Sequence, residues 1–345
     1  MRCVCNVRRG FFTTFEKQAV GTNTMTKTMK AVVTKGWGPR TKLHVTEAPA
    51  PAKLGDEDVL VEVYAASVNP KDWKLNYHLA MAATPLGTRR LPPLFGDDLA
   101  GVVIGKGAAV RDFEIGDEVY GMDMRLRTAS LAEQAVINQH RVAKKPKNLN
   151  FQQAASMPLA ALTALQGLRK GGAEAGKSVL IIGASGGVGS LAVQVAKHMG
   201  LRVIGVCSTR NLDFVSQLGA DAVIDYTVGD YRKTAGVFDI VYDVTSYETP
   251  LTCKALLGER GHFISTGGQG MSMVATPLYR LLGKKADSVV VESYREDLDF
   301  LTMLVERGAL HPVIDSVYGL ADSEAAYARN RSGRCRGKVV IAVRG

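Results

Sequence analysis

The sequence has few cysteines, and their positions argue against two kinds of protein. They are odd in number and scattered, so the spacing indicates no disulfide framework and favours a reducing compartment. No cysteine lies between Cys5 and Cys207, and the histidines of the first part of the chain stand alone, so the sequence predicts no bound metal. These residues are Cys3, Cys5, Cys207, Cys253 and Cys335, with His44, His78 and His140.

Long apolar runs and basic tracts are also missing. The uncharged stretch 178–196 approaches the length that spans a bilayer, but its glycines and its strand-then-helix pattern favour a soluble βα unit. The formal net charge is +10, yet no run of Lys and Arg is interleaved with aromatic residues as in nucleic-acid binders. The sequence therefore predicts no transmembrane segment and argues against nucleic acid as a partner, while the basic excess suits a small anionic ligand.

The first 28 residues differ in composition from the rest. They hold five basic residues against one acid and include several threonines, which is typical of a mitochondrial transit peptide. The alternative is a disordered tail or a later start at Met25 or Met29, which would leave the protein in the cytoplasm. We expect a mitochondrial protein whose ordered part begins near residue 29.

The rest of the chain divides by texture into a β-rich and an α/β part. Residues 29–152 show short β-branched runs broken by Gly, Pro and Asp, which predicts an antiparallel, barrel-like domain. Residues 153–293 contain five apolar strand candidates separated by helical stretches, which is the rhythm of a doubly wound parallel sheet. Residues 294–345 are predicted to return and complete the first domain. The five strand candidates are "SVLIIGA", "LRVIGVC", "DAVIDY", "FDIVYDV" and "GHFIST".

A glycine-rich turn follows the first of these strands. Residues 179–189 read "VLIIGASGGVG" and fit G-x-G-x-x-G with Ala184 in first place, Gly186 second and Gly189 third. In this pattern the first position allows a tight turn, the second lets the backbone approach a pyrophosphate, and the third allows close packing of helix on strand. Because the turn joins a strand to a helix, it predicts a dinucleotide site.

The end of the next strand indicates which dinucleotide is bound. An acid there would hold the ribose 2′-hydroxyl of NAD, but the residues present are Ser208, Thr209 and Arg210. A hydroxyl and a guanidinium are suitable donors to a 2′-phosphate, so the sequence favours NADPH. Tyr226, after the following strand, is expected near the adenosine. The alternatives are a solvated turn for Arg210 and edge packing for Tyr226.

Three stretches carry a resemblance to a known family: "SVNPKDWKL" (67–75), the segment 96–122 that begins "GDDLAGVV", and "GASGGVG" (183–189). Together they resemble the medium-chain dehydrogenase/reductase superfamily. Its zinc alcohol dehydrogenases have a cysteine where this chain has Asn69 and a His-Glu pair where it has Asp97 and Asp98. The chain therefore looks like the zinc-independent quinone oxidoreductase branch, especially the quinone oxidoreductase-like proteins of mitochondria and chloroplast envelopes.

This resemblance implies a fold, an activity and an assembly. The implied fold is α/β, a GroES-like β-barrel catalytic domain plus a doubly wound Rossmann domain. The implied activity is transfer of a hydride from NADPH to quinones or to the double bond of enones and 2-alkenals. The family commonly forms homodimers, so a homodimer is expected.

The resemblance also implies site residues by position. Asn69 would lie near the nicotinamide and substrate, although Asn69-Pro70 also reads as a helix cap followed by a first-turn proline. Gly96-Asp97-Asp98 is expected to be turn and barrel structure, with Asp98 orienting neighbouring polar groups. The cofactor would be bound by Thr163, by Ser185, Gly186, Gly187 and Val188 at the pyrophosphate, by Ser208, Arg210 and Tyr226 at the 2′-phosphate end, and by Thr245, Thr266, Gly267, Gly268 and Lys338.

The source of the proton that completes the reduction is left open by the sequence, between water, a ribose hydroxyl and Tyr77. The basic loop 76–94, with Tyr77, Arg89 and Arg90, is longer than usual and is expected to influence substrate specificity. Two other functions stay open. One is a 2-enoyl-thioester reductase, and the other is an NADPH-binding protein that contacts RNA or a membrane surface and has weak catalysis.

Overall fold

The computed structural model describes residues 27–35, 42–74, 96–123, 130–266, 270–281 and 285–344. Most of the predicted leader, the loop 76–94 with Tyr77, Arg89 and Arg90, and the pair Gly267-Gly268 lie outside these residues. Within the described ranges, none of the helices combines the length and the apolar character that crossing a bilayer requires.

The described part of the chain has mostly strands in its first half and alternating strands and helices in its second. In chain order the strands are β1 (Thr28–Lys35), β2 (Lys42–Pro49), β3 (Asp58–Ser67), β4 (Asp98–Lys106), β5 (Glu118–Met122), β6 (Gln134–Asn138), β7 (Val142–Lys144), β8 (Ser178–Ile182), β9 (Arg202–Cys207), β10 (Ala222–Asp225), β11 (Phe238–Asp243), β12 (Leu257–Ser265), β13 (Ala286–Ser288), β14 (Ile314–Gly319) and β15 (Lys338–Ala342). The helices are α1 (Pro70–Lys74), α2 (Phe151–Ala155), α3 (Pro158–Lys170), α4 (Gly187–His198), α5 (Leu212–Gln217), α6 (Tyr231–Thr234), α7 (Gly270–Leu281), α8 (Arg295–Glu306) and α9 (Ser323–Arg331).

Six strands form a parallel sheet in the order β10-β9-β8-β11-β12-β13. The chain winds outward from β8 in one direction and from β11 in the other, which is the doubly wound Rossmann arrangement. Residues 179–182 of β8 are all buried, as expected for a strand covered on both faces. The predicted doubly wound sheet is confirmed. The sequence did not predict β13, whose three residues, "ADS", lack an apolar run.

A second sheet has the order β14-β15-β3-β4-β5-β7, with β6 also pairing with β3, and β1 and β2 form a separate antiparallel pair. The pairs that β3 makes with β4, β6 and β15 are antiparallel, as predicted for this half. Val340 of β15 lies opposite Ser67 of β3, so the end of the chain rejoins the sheet built by its beginning. The domain boundaries at 152/153 and 293/294 stay predictions.

Helix α3 joins the two sheets through a shared core. The preceding α2 begins with a capping box, in which Asn150 and Gln153 bond each other's backbone N–H groups. Ten residues of α3 are buried, and its leucines pack in one cluster with Ile181 of β8 and Val340 of β15. Tyr242 of β11 donates a hydrogen bond to the carbonyl oxygen of Thr163 at 2.7 Å. One continuous core therefore supports both halves of the site described below.

Close packing of α3 on β11 requires a small residue at position 167. A Cβ added to Gly167 would lie 2.2 Å from the hydroxyl oxygen of Tyr242 and 2.4 Å from its ring. We expect Gly167→Ala to lower the free energy of unfolding by about 1–3 kcal/mol, the usual effect of overpacking a core. The measurement is thermal or urea unfolding. Gly229→Ala is the matched control, because a Cβ there meets nothing within 4 Å, and an equal loss in both variants would contradict the explanation.

Candidate active site

The candidate site begins at the glycine turn between β8 and α4. Gly183 adopts a φ of +88° and its amide and that of Ala184 both donate to the carbonyl oxygen of Val206 at 3.0 Å. The alignment above gave the tight-turn position to Ala184. The structure instead places the left-handed conformation one residue earlier, at Gly183, where only glycine is unstrained.

The other two glycines of the pattern have different surroundings. A Cβ on Gly189 would lie 2.1 Å from the carbonyl oxygen of Gly183, so glycine is needed there for the helix to pack on the strand. A Cβ on Gly186 would have only Gly183 within 4 Å, at 3.5 Å. Space is therefore left in front of the first turn of α4, whose N–H groups lack partners within the helix. This open approach to a helix N-terminus fits the pyrophosphate of a dinucleotide.

Ser185 and Ser208, predicted from separate parts of the sequence, are brought together by Asn211. The amide of Asn211 donates to the hydroxyl of Ser185 at 3.0 Å and to that of Ser208 at 3.4 Å. Asn211 is itself buried. The sequence analysis missed Asn211, although it stands one residue after Arg210.

Arg210 lies beside two arginines from the end of the chain. Its guanidinium donates to the carbonyl oxygen of Arg334 at 3.1 Å, and Arg336 donates to the carbonyl oxygen of Arg210 at 2.8 Å and to Asn211 at 3.2 Å. Arg336 also lies over the ring of Phe214, with 5.1 Å from its guanidinium carbon to the ring centre. Arg334 and Arg336 were not predicted as site residues, because their proximity depends on the return of the chain.

The end of β10 contributes Tyr226 and an acid. The side chain of Tyr226 is 55% exposed and its amide donates to Cys207 at the end of β9, so it lies at the sheet edge without being packed into it. The carboxylate of Asp225 accepts hydrogen bonds from Thr209 at 2.5 Å and from Thr227 at 2.7 Å, which hold the pKa of Asp225 below its usual range. The hydroxyl of Thr209 is thus occupied by Asp225.

Thr245 and Thr266 meet at the ends of β11 and β12. The buried carboxylate of Asp243 accepts from the amide and hydroxyl of Thr245 at 2.9 and 2.6 Å and from the amide of Glu248 at 2.8 Å. Burial raises the pKa of Asp243, while these donors act in the opposite direction. Ser246, with a φ of +62°, shares a hydrogen bond of 2.7 Å with Thr266. Sequence reasoning missed both Asp243 and Ser246.

Thr163 is placed differently from these residues. It is buried in α3 and its hydroxyl donates to the carbonyl oxygen of Leu159 at 2.6 Å, within the helix. The contacts of Thr163 are thus with its own helix and with Tyr242. Its predicted contact with the cofactor stays a prediction.

The returning strand β15 lies directly against the glycine turn. The amide of Gly337 donates to the carbonyl oxygen of Ser185 at 3.0 Å, and Gly337 forms a parallel bridge with Gly186. A Cβ on Gly187 would lie 2.8 Å from Cδ of Lys338, so the lysine stem passes over the first residue of α4. Lys338 therefore reaches across the start of α4, close to the open approach at Gly186.

The ammonium of Lys338 ends in a group of buried polar residues, the Asp98 cluster, which consists of Ser67, Asn69, Asp98 and Lys338. Lys338 donates to the amide oxygen of Asn69 and, at 3.3 Å, to Oδ2 of Asp98. The same oxygen accepts from the amide of Asn69 at 2.8 Å and from the hydroxyl of Ser67 at 2.5 Å. Oδ1 of Asp98 accepts from the backbone amide of Leu159 at 2.8 Å.

The Asp98 cluster shows where the side chain of Asn69 is bound. Both polar atoms of its side chain are bound by Asp98 and Lys338, rather than by the first turn of α1. The backbone amide of Asn69 does donate to Asp72 at 2.9 Å, so the helix start is fixed by Asp72. Asp98 contacts both Asn69 and Lys338, and the expected position of Asn69 near the nicotinamide and substrate stays a prediction.

A second set of buried charges adjoins this cluster. Lys71 contacts Oδ2 of Asp97 and lies 3.7 Å from Asp72, which accepts a hydrogen bond from Tyr327 at 3.0 Å. Burial, with the nearby charge of Asp72, raises the pKa of Asp97 to about 7, and burial also raises the pKa of Asp72. Burial lowers the pKa of Lys71, but the charges of Asp97 and Asp72 outweigh it and raise that pKa overall.

Among the residues that the structure describes, no group of three or more His, Cys, Asp or Glu side chains is arranged to hold a metal ion.

Comparison with known proteins agrees with this geometry. Family models match residues 55–147 as an alcohol dehydrogenase GroES-like domain and residues 218–341 as a zinc-binding dehydrogenase. The chain is 35% identical over 323 residues to 2-methylene-furan-3-one reductase from Solanum lycopersicum, covering 91% of this chain and 79% of the relative. It is 33% identical over 327 residues to the mitochondrial NAD(P)H oxidoreductase RTN4IP1 from Mus musculus, covering 83% and 82%.

A solved structure gives the same result for the fold. The quinone oxidoreductase from Coxiella burnetii superimposes with a TM-score of 0.82 at 31% identity, covering 92% of this chain and 100% of that protein. The match spans both halves, and with them the glycine turn and the Asp98 cluster. The chain therefore belongs to the quinone oxidoreductase-like branch of the medium-chain dehydrogenase/reductase superfamily, whose members are oxidoreductases that use a nicotinamide cofactor.

Proposed function

We propose that this protein is an NADPH-dependent reductase of electron-poor acceptors, either quinones or the carbon–carbon double bond of enones and 2-alkenals. The observation that carries the proposal is the position of Lys338. Its stem lies on Gly187 at the start of α4, and its ammonium binds Asn69 and Asp98. The Lys338 side chain thus links the glycine turn between β8 and α4 to the Asp98 cluster, a buried polar group that can hold an acceptor.

The preference for NADPH over NADH is supported by the donors at the end of β9. Ser208, Arg210 and Arg336 supply a hydroxyl and two guanidinium groups, and Arg336 is held in place by Asn211 and Phe214. Guanidinium groups bind phosphate through charge-assisted hydrogen bonds. The acid that NAD would require at the end of β9 is replaced by Ser208, and Asp225 on the neighbouring strand is occupied by two threonine hydroxyls.

The chain's own residues bind the cofactor, orient the acceptor and polarise its carbonyl group. When bound, NADPH supplies the hydride. The N–H groups at the start of α4 bind the pyrophosphate, and the hydroxyls at the ends of β11 and β12 lie where they can fix the nicotinamide ribose. The ammonium of Lys338 has three N–H donors, and two of them are bound by Asn69 and Asp98. The third can polarise the acceptor's carbonyl oxygen, so placement and a fixed positive charge supply the rate.

Zinc independence, a homodimer and a mitochondrial location belong to the same proposal. Asn69, Asp97 and Asp98 replace the Cys and His-Glu residues of zinc alcohol dehydrogenases, which supports a reductase that needs no metal. The location is supported by the basic composition of residues 1–28 and by the mitochondrial relative. The alternative is a 2-enoyl-thioester reductase, and an assay with enoyl thioesters as acceptors distinguishes it from the proposed enzyme.

The first prediction concerns the cofactor. We expect Arg210→Ala to raise the Kd for NADPH by about 10- to 100-fold, since a hydrogen bond to a charged group is worth about 1.5–3 kcal/mol, and to leave the Kd for NADH unchanged. Arg202→Ala is the matched control, because Arg202 is exposed at the opposite end of β9. The measurement is a fluorescence titration with each nucleotide, and an equal weakening of both nucleotides would argue against 2′-phosphate recognition.

The second prediction concerns turnover by the purified, chelator-treated protein. We expect NADPH consumption, followed by absorbance, with short enones or quinones and little or none with enoyl thioesters. Binding of NADPH without turnover of any acceptor would refute the proposed reductase and favour the NADPH-binding interaction protein.

The third prediction concerns the Asp98 cluster. Lys338→Met leaves Asp98 buried without its cation, so we expect it to lose about 3–5 kcal/mol of stability together with most of kcat. Adding Asp98→Asn removes the uncompensated charge, so the double variant should recover much of the stability while its kcat stays low. Urea unfolding and steady-state kinetics on wild type and the two variants test this. Recovery of kcat along with stability would mean that Lys338 acts only as a structural residue.

A further inference from the structure

Near Asn69, the buried acidic side chains outnumber the basic ones. In the described part of the chain, the carboxyl groups of Asp72, Asp97 and Asp98 face the ammonium groups of Lys71 and Lys338. All three carboxyls and the Lys338 ammonium are more than 90% buried, and the Lys71 side chain is 23% exposed. With every group ionised the set carries one net negative charge. A buried set of this kind lowers its free energy by taking up one proton.

The hydrogen bonds indicate which carboxyl takes that proton. Asp98 accepts from four donors, and Asp72 accepts from the Asn69 amide and the Tyr327 hydroxyl, so hydrogen-bond donors already contact the oxygens of both carboxyls. Oδ2 of Asp97 has the ion contact with Lys71 but, among the described residues, no hydrogen-bond donor of good geometry. Of the three carboxyls, Asp97 therefore binds a proton with the least loss of hydrogen bonding, in agreement with its pKa of about 7.

The position of this proton relates it to the reaction. Asp97 directly precedes Asp98, and Lys71 lies two residues after Asn69, in the first turn of α1. In space, Lys71 joins Asp97 to Asp72, which accepts from the backbone amide of Asn69, a residue of the cluster proposed to hold the acceptor. Reduction of an acceptor by hydride leaves it one proton short, and burial raises the pKa of Asp97 to about 7, so this carboxyl can hold and release a proton near neutral pH.

We propose that the Asp97–Lys71 pair stores the proton that completes reduction of the acceptor. This rests on the proposed reductase activity. With a 2-enone, the β-carbon takes a hydride from the bound cofactor and the electron pair of the double bond moves to the carbonyl oxygen, giving an enolate. The α-carbon then takes the proton from Asp97, giving the saturated ketone. Asp97 is left as a carboxylate paired with Lys71, and water returns the proton.

The direction of the pH dependence follows from this assignment. Because the pKa of Asp97 is raised, the proton is present below pH about 7 and is lost above it. The rate of product formation should fall as the pH rises through 7. The unfolded chain loses this proton at about pH 4 and the folded protein keeps it up to pH about 7, so this group's contribution to stability is lost progressively between those two pH values. The charges that face Asp97 are those of Lys71, Asp72 and Asp98.

The test is single-turnover kinetics with NADPH and a short 2-enone between pH 5.5 and about 9, on the full chain, with Asp56→Asn as the exposed control. We expect Asp97→Asn to lower the rate at pH 6 by about 10²- to 10⁴-fold and to remove the fall above pH 7, with the Kd for NADPH unchanged. Lys71→Met removes a positive charge beside Asp97, so it should move the fall to higher pH. A purely structural role would slow the reaction without moving the pH profile.

A second measurement separates this proposal from the activity itself. The infrared difference between wild type and Asp97→Asn reports a protonated carboxyl whether or not any acceptor is turned over. We expect a carboxyl band that disappears above pH about 7. If wild type turns over an enone but the band is absent, or if Asp97→Asn keeps the wild-type pH profile, the proposal is overturned. Failure of wild type to reduce any acceptor would instead refute the proposed reductase.

Discussion

The buried carboxylate of Asp98 is the contact on which the site depends. Its two oxygens accept hydrogen bonds from β3, from the segment before α1, from the start of α3 and from β15. These elements come from distant parts of the chain, and each has a backbone or side-chain donor that would be left unsatisfied without the carboxylate. Asp98 thus couples the antiparallel half, the linking helix and the returning strand at a single point, and the lysine it holds lies on the dinucleotide turn.

The parallel sheet explains why the residues predicted to bind the cofactor converge although they are far apart in sequence. In a parallel sheet all carboxyl ends lie at one edge, and the reversal of winding between β8 and β11 opens a crevice there. Ser185, Ser208 and Thr245 follow three of these strands and therefore surround the crevice. The two acids at this edge, Asp225 and Asp243, each accept hydrogen bonds from neighbouring hydroxyls and amides, so both carboxylates have partners within the protein.

The features that the sequence predicted are those set by local pattern. The apolar strand runs, the glycine turn and the missing acid after β9 are each readable within about ten residues, and the structure contains the strands as expected. Asn211 and Arg336 were missed because their roles depend on contacts across the fold: Arg336, for example, reaches Arg210 from 126 residues away. Asp243 was missed although its contacts with Thr245 and Glu248 lie within five residues of it. The tight turn was assigned one residue late because the G-x-G-x-x-G pattern fixes glycine spacing but not the backbone conformation at Gly183.

The two lysines of the site are held by different arrangements, and this difference suits two different tasks. Lys338 is bound by Asn69 and Asp98, so its ammonium is held in one position and can act on an acceptor without reorganisation. Lys71 faces two carboxyls that repel each other, so its neighbourhood changes charge by taking up or losing a proton near neutral pH. A permanent cation beside a titratable pair is what a hydride acceptor requires, since negative charge must first be stabilised on the acceptor and then neutralised by a proton.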